Sequence, residues 1–234
     1  MQLDQVFRDL NIVQDFIPVT NANRPGTRMA PTHITIHNTD NSRPGADAAA
    51  HARYVKSADA QARQVSWHYT VDDLAIYQSL PVNEIGWHSG PGNSKSIGIE
   101  ICMHPGMNET RAYDRAASLV AVLALQNGIS VPDKIVQHHF WTGKHCPRVL
   151  RDRPGGWSGF LAKVQAAMAQ LRSAPEAAPQ AVLHSGDRDS GDIPDGDAPK
   201  GAARRTAKAR RTAKSKRKTK GAKTRKRRKA KAGR

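Results

Sequence analysis

Three parts of the 234-residue sequence carry side chains that could bind a metal ion or move a proton. His37 lies in the segment I-H-N-T, Glu100 lies in I-G-I-E-I-C, and the stretch from His138 to Cys146 reads H-H-F-W-T-G-K-H-C. A hydrolytic zinc site needs three protein ligands and an open position for water, and imidazole and thiolate suit zinc better than magnesium or calcium. Two histidines and one cysteine would meet that need, and Lys144 lies two residues before the cysteine.

The spacing of these residues is not a compact metal-binding signature. The sequence contains no C-x-x-C or H-E-x-x-H motif, and a histidine in a strand is more often a hydrogen-bonded structural residue than a ligand. Glu100 could face solvent from a strand, and Lys144 could be a solvated loop charge. His68 and His88 each follow a tryptophan, and they could line a groove or pack in the core. The residues alone leave these interpretations open.

The elements that must position these residues follow from hydrophobic periodicity. The predicted strands cover residues 33–37, 65–71, 75–80 and 96–102, the middle two joined by a tight turn at 72–73. The predicted helices cover residues 46–63, 110–126 and 158–172, with Gly128 just past the end of the second. We therefore expect a single α/β domain over residues 1–172, with a central mixed β-sheet flanked by helices.

Composition changes sharply after this predicted domain. Residues 173–199 are rich in Pro, Gly, Asp and Ser, which predicts a flexible acidic linker. Residues 200–234 hold 19 of the 37 Lys and Arg residues and no Asp or Glu, whereas residues 1–199 hold 18 basic and 20 acidic residues. The formal net charge of +17 therefore comes from the last segment. We expect that segment to be a disordered cationic tail, because its like charges repel one another.

Five segments form a wider pattern. They are N-R-P-G-T-R-M-A-P-T-H-I-T-I-H-N-T at 23–39, S-W-H-Y-T-V-D-D at 66–73, W-H-S-G at 87–90, S-I-G-I-E-I-C at 96–102 and H-H-F-W-T-G-K-H-C-P at 138–147. Their order resembles the zinc-dependent N-acetylmuramoyl-L-alanine amidases of the type 2 family, especially the phage endolysin and bacterial autolysin branch. A more distant similarity extends to animal peptidoglycan recognition proteins. Five matches in order are more specific than any one of them.

The resemblance implies a set of metal ligands. Carried over position by position, it assigns Zn²⁺ to His37, His138 and Cys146, with His139 as an alternative for the second ligand. Phe140 departs from the family, since many relatives have Asp at that position. If that acid normally supports the metal site, an outer contact is missing or replaced here, and such contacts affect metal affinity.

The resemblance also implies catalytic and substrate-binding residues. Glu100 matches the family's catalytic glutamate, which would accept a proton from water and deliver one to the leaving nitrogen. Lys144 matches the lysine two residues before the last ligand, where it would stabilise negative charge on the substrate oxygen. The residues expected to line the groove for sugar and peptide are Trp67, His68, Trp87 and His88.

The expected function is therefore hydrolysis of the amide bond between N-acetylmuramic acid and L-alanine in peptidoglycan by a zinc-activated water. Two other classes stay open. One is a non-catalytic peptidoglycan-binding module, although such modules commonly lack the metal-binding cysteine that Cys146 supplies. The other is a polyanion or nucleic-acid binder acting through the basic tail. For that tail we expect anionic polymers of the cell envelope as partners in preference to nucleic acid.

Location and assembly can also be predicted. The first residues, M-Q-L-D-Q-V-F-R-D-L, include acids and lack the apolar centre of a signal peptide, and no transmembrane segment is expected. We expect synthesis in the cytoplasm and access to the cell wall through a membrane lesion, as for a phage endolysin. A cytoplasmic wall-recycling enzyme would have the same signature. A monomer is expected, and Cys102 and Cys146 are not expected to pair, since one bridge is no disulfide framework.

Overall fold

Short segments rich in β-branched residues build a six-stranded sheet in the computed structural model, which describes residues 9–173. The strands are β1 (Ile12–Gln14), β2 (His33–Asn38), β3 (Tyr69–Val71), β4 (Ile76–Gln78), β5 (Ser96–Ile101) and β6 (Ile135–Gln137). Their order across the sheet is β1-β4-β3-β5-β2-β6. Among these strands, β3 and β4 pair antiparallel and all other neighbours pair parallel. The predicted central mixed sheet is confirmed.

The neighbouring strands β2 and β5 divide apolar and polar side chains between the faces of the sheet. In the β2–β5 register Ile36 lies opposite Ile99, and His37 lies opposite Glu100. Successive side chains of a strand point to opposite faces. One face therefore carries the isoleucines that enter the main hydrophobic core, namely Ile34, Ile36, Ile97, Ile99 and Ile101. The other face carries Thr35, His37, Gly98 and Glu100.

Besides a short 3-10 helix at Gly90–Gly92, six α-helices lie wholly within the described part of the chain. They are α1 (Ala48–Tyr54), α2 (Ala58–Ala62), α3 (Glu109–Asn127), α4 (His138–Thr142), α5 (Arg148–Asp152) and α6 (Gly156–Ser173). The long helix α3 packs against α6 and contacts β5. It begins at Asn108, whose side chain accepts the Arg111 N–H, and ends at Gly128, which has φ +64°. Both ends follow the capping preferences of these residue types.

The structure differs from the prediction at several elements. The helix predicted for 46–63 is two helices, because Ser57 starts a new one by accepting the Ala60 N–H with its side chain. The two strands predicted on either side of 72–73 are shorter than expected, and Asp72 closes their turn by accepting the N–H groups of Leu74 and Ala75. Strands β1 and β6 and helices α4 and α5 were not predicted, since three to five residues show no clear period.

The predicted acidic linker (173–199) and cationic tail (200–234) lie outside the described residues, except for Ser173, the last residue of α6. Within residues 9–173, no helix combines the length and the apolar character that crossing a membrane requires. Cys102 and Cys146 are both buried, and both are free thiols.

Candidate metal centre and active site

Three neighbouring parallel strands bring the candidate site together at their carboxyl ends. His37 lies near the end of β2, Glu100 lies near the end of β5, and His138 is the first residue after β6. Because β5, β2 and β6 are adjacent and parallel, these ends meet at one edge of the sheet. Cys146 follows α4, and its carbonyl accepts the His139 N–H at 3.1 Å. That hydrogen bond ties the cysteine segment to the helix that begins with His138.

The donor atoms of His37, His138 and Cys146 all lie within 4.8 Å of one another. Nδ1 of His138 is 3.1 Å from Nδ1 of His37, and Sγ of Cys146 is 3.7 Å from the same nitrogen. Tetrahedral zinc, with nitrogen ligands at about 2.0 Å and sulfur at about 2.3 Å, would separate such donors by roughly 3.3–3.6 Å. The three residues therefore fit a zinc ion in donor type and in spacing. His139, the alternative ligand, is exposed.

Burial disfavours charge on these three donors. Burial, with additional repulsion from His88 and His138, lowers the pKa of His37 well below its usual value. Burial and the Lys144 ammonium lower the pKa of His138 to about 4. The neutral imidazole is the form that binds a metal. Burial raises the pKa of the Cys146 thiol to about 12, and the nearby Glu100 carboxyl acts in the same direction. A bound cation would therefore have to displace the thiol proton.

Glu100 lies beside the donors with an unpartnered oxygen. Its side chain is 15% exposed, and Oε1 is 3.8 Å from Nδ1 of His37. Oε2 is buried and has no hydrogen-bond partner among the described residues. Burial raises the pKa of Glu100 to about 8, although Lys144 acts to lower it. A buried carboxyl with a shifted pKa and a free oxygen is suited to exchanging protons with a bound molecule.

A cavity of about 570 Å³ opens beside these residues. The side chains predicted to act in catalysis or metal binding that line it are His37, Glu100, His138 and Lys144. The predicted groove residues Trp67, Trp87 and His88 also line it. Trp67 is only 7% exposed and its indole N–H donates to Thr70 Oγ1 at 2.7 Å, so most of its ring packs in the interior. The sequence prediction missed further lining residues, namely Thr39, Asn41, His51, Tyr54 and Arg63.

His68 is not part of this cavity, and the prediction that it lines the substrate groove is wrong. Its side chain has no exposed surface. Nδ1 accepts the Gly98 N–H at 3.0 Å, and Nε2 donates to the Glu84 carbonyl at 2.9 Å. Because a backbone N–H can only donate and a carbonyl can only accept, the ring is neutral and carries its proton on Nε2. Both nitrogens are occupied inside the protein.

Phe140, the position at which the sequence departs from the family, lies apart from the donors. Its side chain is 62% exposed. It packs edge-on against Trp141, with ring centroids 4.9 Å apart, and stacks on His33. The aromatic residue therefore belongs to the exposed surface of α4. Its presence does not place an apolar group among the metal donors.

Comparison with known proteins identifies the family. The family model for N-acetylmuramoyl-L-alanine amidase (Amidase_2) matches residues 27–149, which is more than half of the chain. The chain belongs to this amidase family. The match contains His37, Glu100, His138, Lys144 and Cys146, and the family resemblance predicted from the five sequence segments is confirmed.

Relatives within the family agree with this assignment. The N-acetylmuramoyl-L-alanine amidase XlyA of Bacillus subtilis is 49% identical over 159 residues, which are 66% of this chain and 51% of the relative. CwlH of the same species is 47% identical over 157 residues, 65% of this chain and 60% of the relative. The chain therefore spans about half the length of the curated relatives it matches.

Solved structures agree as well. The catalytic domain of XlyA has a TM-score of 0.61 and 49% identity, covering 66% of this chain and 99% of that domain. The PlyG catalytic domain has a TM-score of 0.59 and 29% identity, covering 71% of this chain and 99% of that one. Both are structures of catalytic domains, and the structural similarity confirms the predicted α/β fold class.

Proposed function

We propose that the protein is a zinc-dependent hydrolase that cleaves the amide bond between N-acetylmuramic acid and L-alanine in peptidoglycan. The observation that carries the proposal is the convergence of His37, His138 and Cys146 at zinc-compatible distances. Glu100 lies beside His37, and the cavity that these two residues line together with His138 is also lined by Lys144. Membership of the amidase family supports the same reaction.

The residues of the site would divide the work of hydrolysis. Zinc bound to the three donors would polarise the scissile carbonyl and make water more acidic. Glu100 would accept a proton from the attacking water as its oxygen bonds to the carbonyl carbon. It would then deliver a proton to the L-alanine nitrogen as the carbon–nitrogen bond breaks, leaving a carboxylic acid and an amine. Lys144 would place its positive charge near the carbonyl oxygen, where negative charge develops.

The cavity walls offer a surface for the sugar and the peptide. The ring of Trp87 lines the cavity and is partly exposed. Aromatic rings present flat apolar surface with a polar edge, on which a sugar ring can lie. Trp67 would contribute only the small part of its ring that reaches the cavity. His88 also lines the cavity and lies beside His37, 3.1 Å from its Nε2.

Digestion of purified peptidoglycan with three proteins tests this proposal. Wild type should contain one zinc ion per chain and should release new amino groups of L-alanine. Cys146→Ser should lose most of the zinc and the activity together, because it removes one of three ligands. Glu100→Gln should keep the zinc and lose at least about 10²-fold in rate, because it removes only the proton carrier. The proposal fails if wild type binds no zinc or frees no amines.

The same experiment separates the alternative function. A non-catalytic peptidoglycan-binding module would bind the polymer and release no amines. We favour the enzyme because the cysteine that such modules commonly lack is present and lies with the two histidines.

We also propose that the basic tail holds the enzyme on anionic polymers of the cell envelope. The support is its charge, since residues 200–234 contain 19 Lys and Arg residues and no acid, and each basic residue near an anionic membrane contributes about 1 kcal/mol. Deletion of 200–234 should weaken lysis of whole cells far more than hydrolysis of soluble muropeptide. Equal losses in both assays would contradict this role, and tight binding to DNA alone would favour the nucleic-acid alternative.

A further inference from the structure

The imidazole of His37 makes different contacts through its two nitrogens. Nδ1 faces the other candidate ligands, 3.1 Å from Nδ1 of His138 and 3.7 Å from Sγ of Cys146. Nε2 points away from them and lies 3.1 Å from Nδ1 of His88. The other nitrogen of His88, Nε2, lies 3.2 Å from the carbonyl oxygen of Ser96. Two imidazoles thus connect a backbone carbonyl to the candidate metal centre.

This chain of contacts permits one arrangement of protons when both rings are neutral. The Ser96 carbonyl can only accept, so Nε2 of His88 carries a proton and donates it. Nδ1 of a neutral His88 is then an acceptor, and Nε2 of His37 must donate to it. Nδ1 of His37 is left with its lone pair free, on the side where His138 and Cys146 lie. The Ser96 carbonyl therefore selects the tautomer of His37 that has its proton on Nε2. Metal binding through Nδ1 of His37 requires this tautomer.

The surroundings of His88 are built to hold the ring in this place. The side chain of Asn93 accepts the backbone N–H groups of His88 at 2.9 Å and of Ser89 at 2.7 Å. Gly98 of β5 provides the space, because a Cβ at this position would lie 2.8 Å from Cγ and Nδ1 of the His88 ring. Real Cβ atoms do not approach that closely, so a residue larger than glycine would displace the imidazole. A glycine inside a strand often marks such a close approach.

We infer that His88 is a positioning residue that fixes the orientation and tautomer of His37, so that Nδ1 of His37 is presented to the metal. This inference rests on the proposed zinc site. It assigns His88 a different task from the substrate contact expected from the sequence, although one face of the ring lines the cavity. Hydrogen-bonded partners of ligating histidines typically change metal affinity by about 10- to 100-fold.

Zinc affinity of the full chain, measured by competition with a chromogenic chelator, gives the first test. His88→Leu removes both hydrogen bonds and should weaken zinc binding by about 10- to 100-fold. His88→Gln keeps an oxygen that can accept from His37 and an amide that can donate to Ser96, so it should restore affinity to within about fivefold of wild type. Gly98→Ala should weaken binding as His88→Leu does. His139→Leu, which removes an exposed neighbouring histidine, is the matched control and should bind zinc as wild type does.

Two outcomes of that assay overturn the inference. One is unchanged affinity in His88→Leu, and the other is an equal loss in His88→Leu and His88→Gln, which would show a packing role without hydrogen bonding. If wild type itself binds no zinc, the proposed function fails.

Long-range ¹H–¹⁵N correlation spectra of the metal-free chain test the inference separately from zinc. We expect both His37 and His88 of wild type to carry the proton on Nε2, and we expect His88→Leu to shift His37 towards a mixture of tautomers. A proton on Nδ1 of His37 in wild type overturns the inference, whatever the zinc affinity. This spectrum also decides the matter if His88→Leu does not fold, because it needs only the wild-type protein.

Discussion

The buried His68 should make the stability of the fold depend on pH. Its two ring nitrogens bond to the Gly98 N–H and the Glu84 carbonyl, and a proton added to Nδ1 would break the first of these bonds. Burial lowers the pKa of His68 from its usual 6.5 to about 4. The unfolded chain therefore takes up this proton at a higher pH than the folded chain. The contribution of His68 is complete above about pH 6.5 and is lost as the pH falls towards about 4.

The magnitude follows from the size of the pKa shift. Each pKa unit corresponds to about 1.4 kcal/mol, so a fall from 6.5 to about 4 gives about 3 kcal/mol. Domains of this kind are stable by only about 5–15 kcal/mol, so the loss is large enough to measure. His68→Gln offers an acceptor and a donor that do not titrate in this range. Its free energy of unfolding should therefore fall less on acidification than that of wild type, by about 3 kcal/mol.

Urea unfolding followed by tryptophan fluorescence, between about pH 7 and pH 4 with a chelator present, measures this difference. The chelator removes the pH dependence of metal binding. The other buried histidines titrate in both proteins, so the comparison isolates His68. His139→Gln changes an exposed histidine and should follow wild type at every pH. Parallel pH profiles for wild type and His68→Gln would refute the reasoning.

Three further changes have expected outcomes. Lys144→Met should lower kcat about 10²-fold and leave zinc content unchanged, because it removes the charge expected to face the substrate oxygen; a parallel loss of zinc would contradict this. Asn23→Ala should destabilise the fold by about 2–3 kcal/mol in urea, since the buried Asn23 amide donates to the backbone carbonyls of Val55 and Val65 at 2.7 and 2.8 Å. Gly128→Ala should lower the free energy of unfolding by about 1 kcal/mol, because φ is +64° at this helix end. An unchanged urea midpoint would refute the estimate for Asn23→Ala or for Gly128→Ala, whichever variant shows it.

Long periodic segments made much of the fold predictable from the sequence. The α3 helix and its end at Gly128 follow from helical spacing, and β2 and β5 follow from alternating β-branched residues. The β6 strand was not predictable, because it has only three residues and its residue Ile135 pairs with Ile34, far earlier in the chain. Such pairing depends on tertiary contacts that no local pattern reports.

The candidate site was predictable to different degrees for different residues. Ordered motifs pointed to His37, His138 and Cys146, which the structure brings together. The burial of His68 was not predictable, because two W-H pairs with the same local sequence have different surroundings. His68, which follows Trp67, forms hydrogen bonds with Gly98 and Glu84 inside the protein. His88, which follows Trp87, forms a hydrogen bond with the candidate ligand His37.

Gly98 explains why these two histidines differ. Its backbone N–H bonds to His68, and its missing side chain leaves space for His88. A residue with a Cβ could still donate its N–H to His68, but it would push His88 away from His37. The strand segment I-G-I-E-I therefore indicates the site in two ways. One is Glu100, and the other is the glycine that interrupts the apolar residues two positions earlier. Histidine and cysteine residues in the sequence identify the candidate ligands. Gly98, the smallest residue of its strand, determines how His37 is oriented, because it leaves the space that His88 occupies.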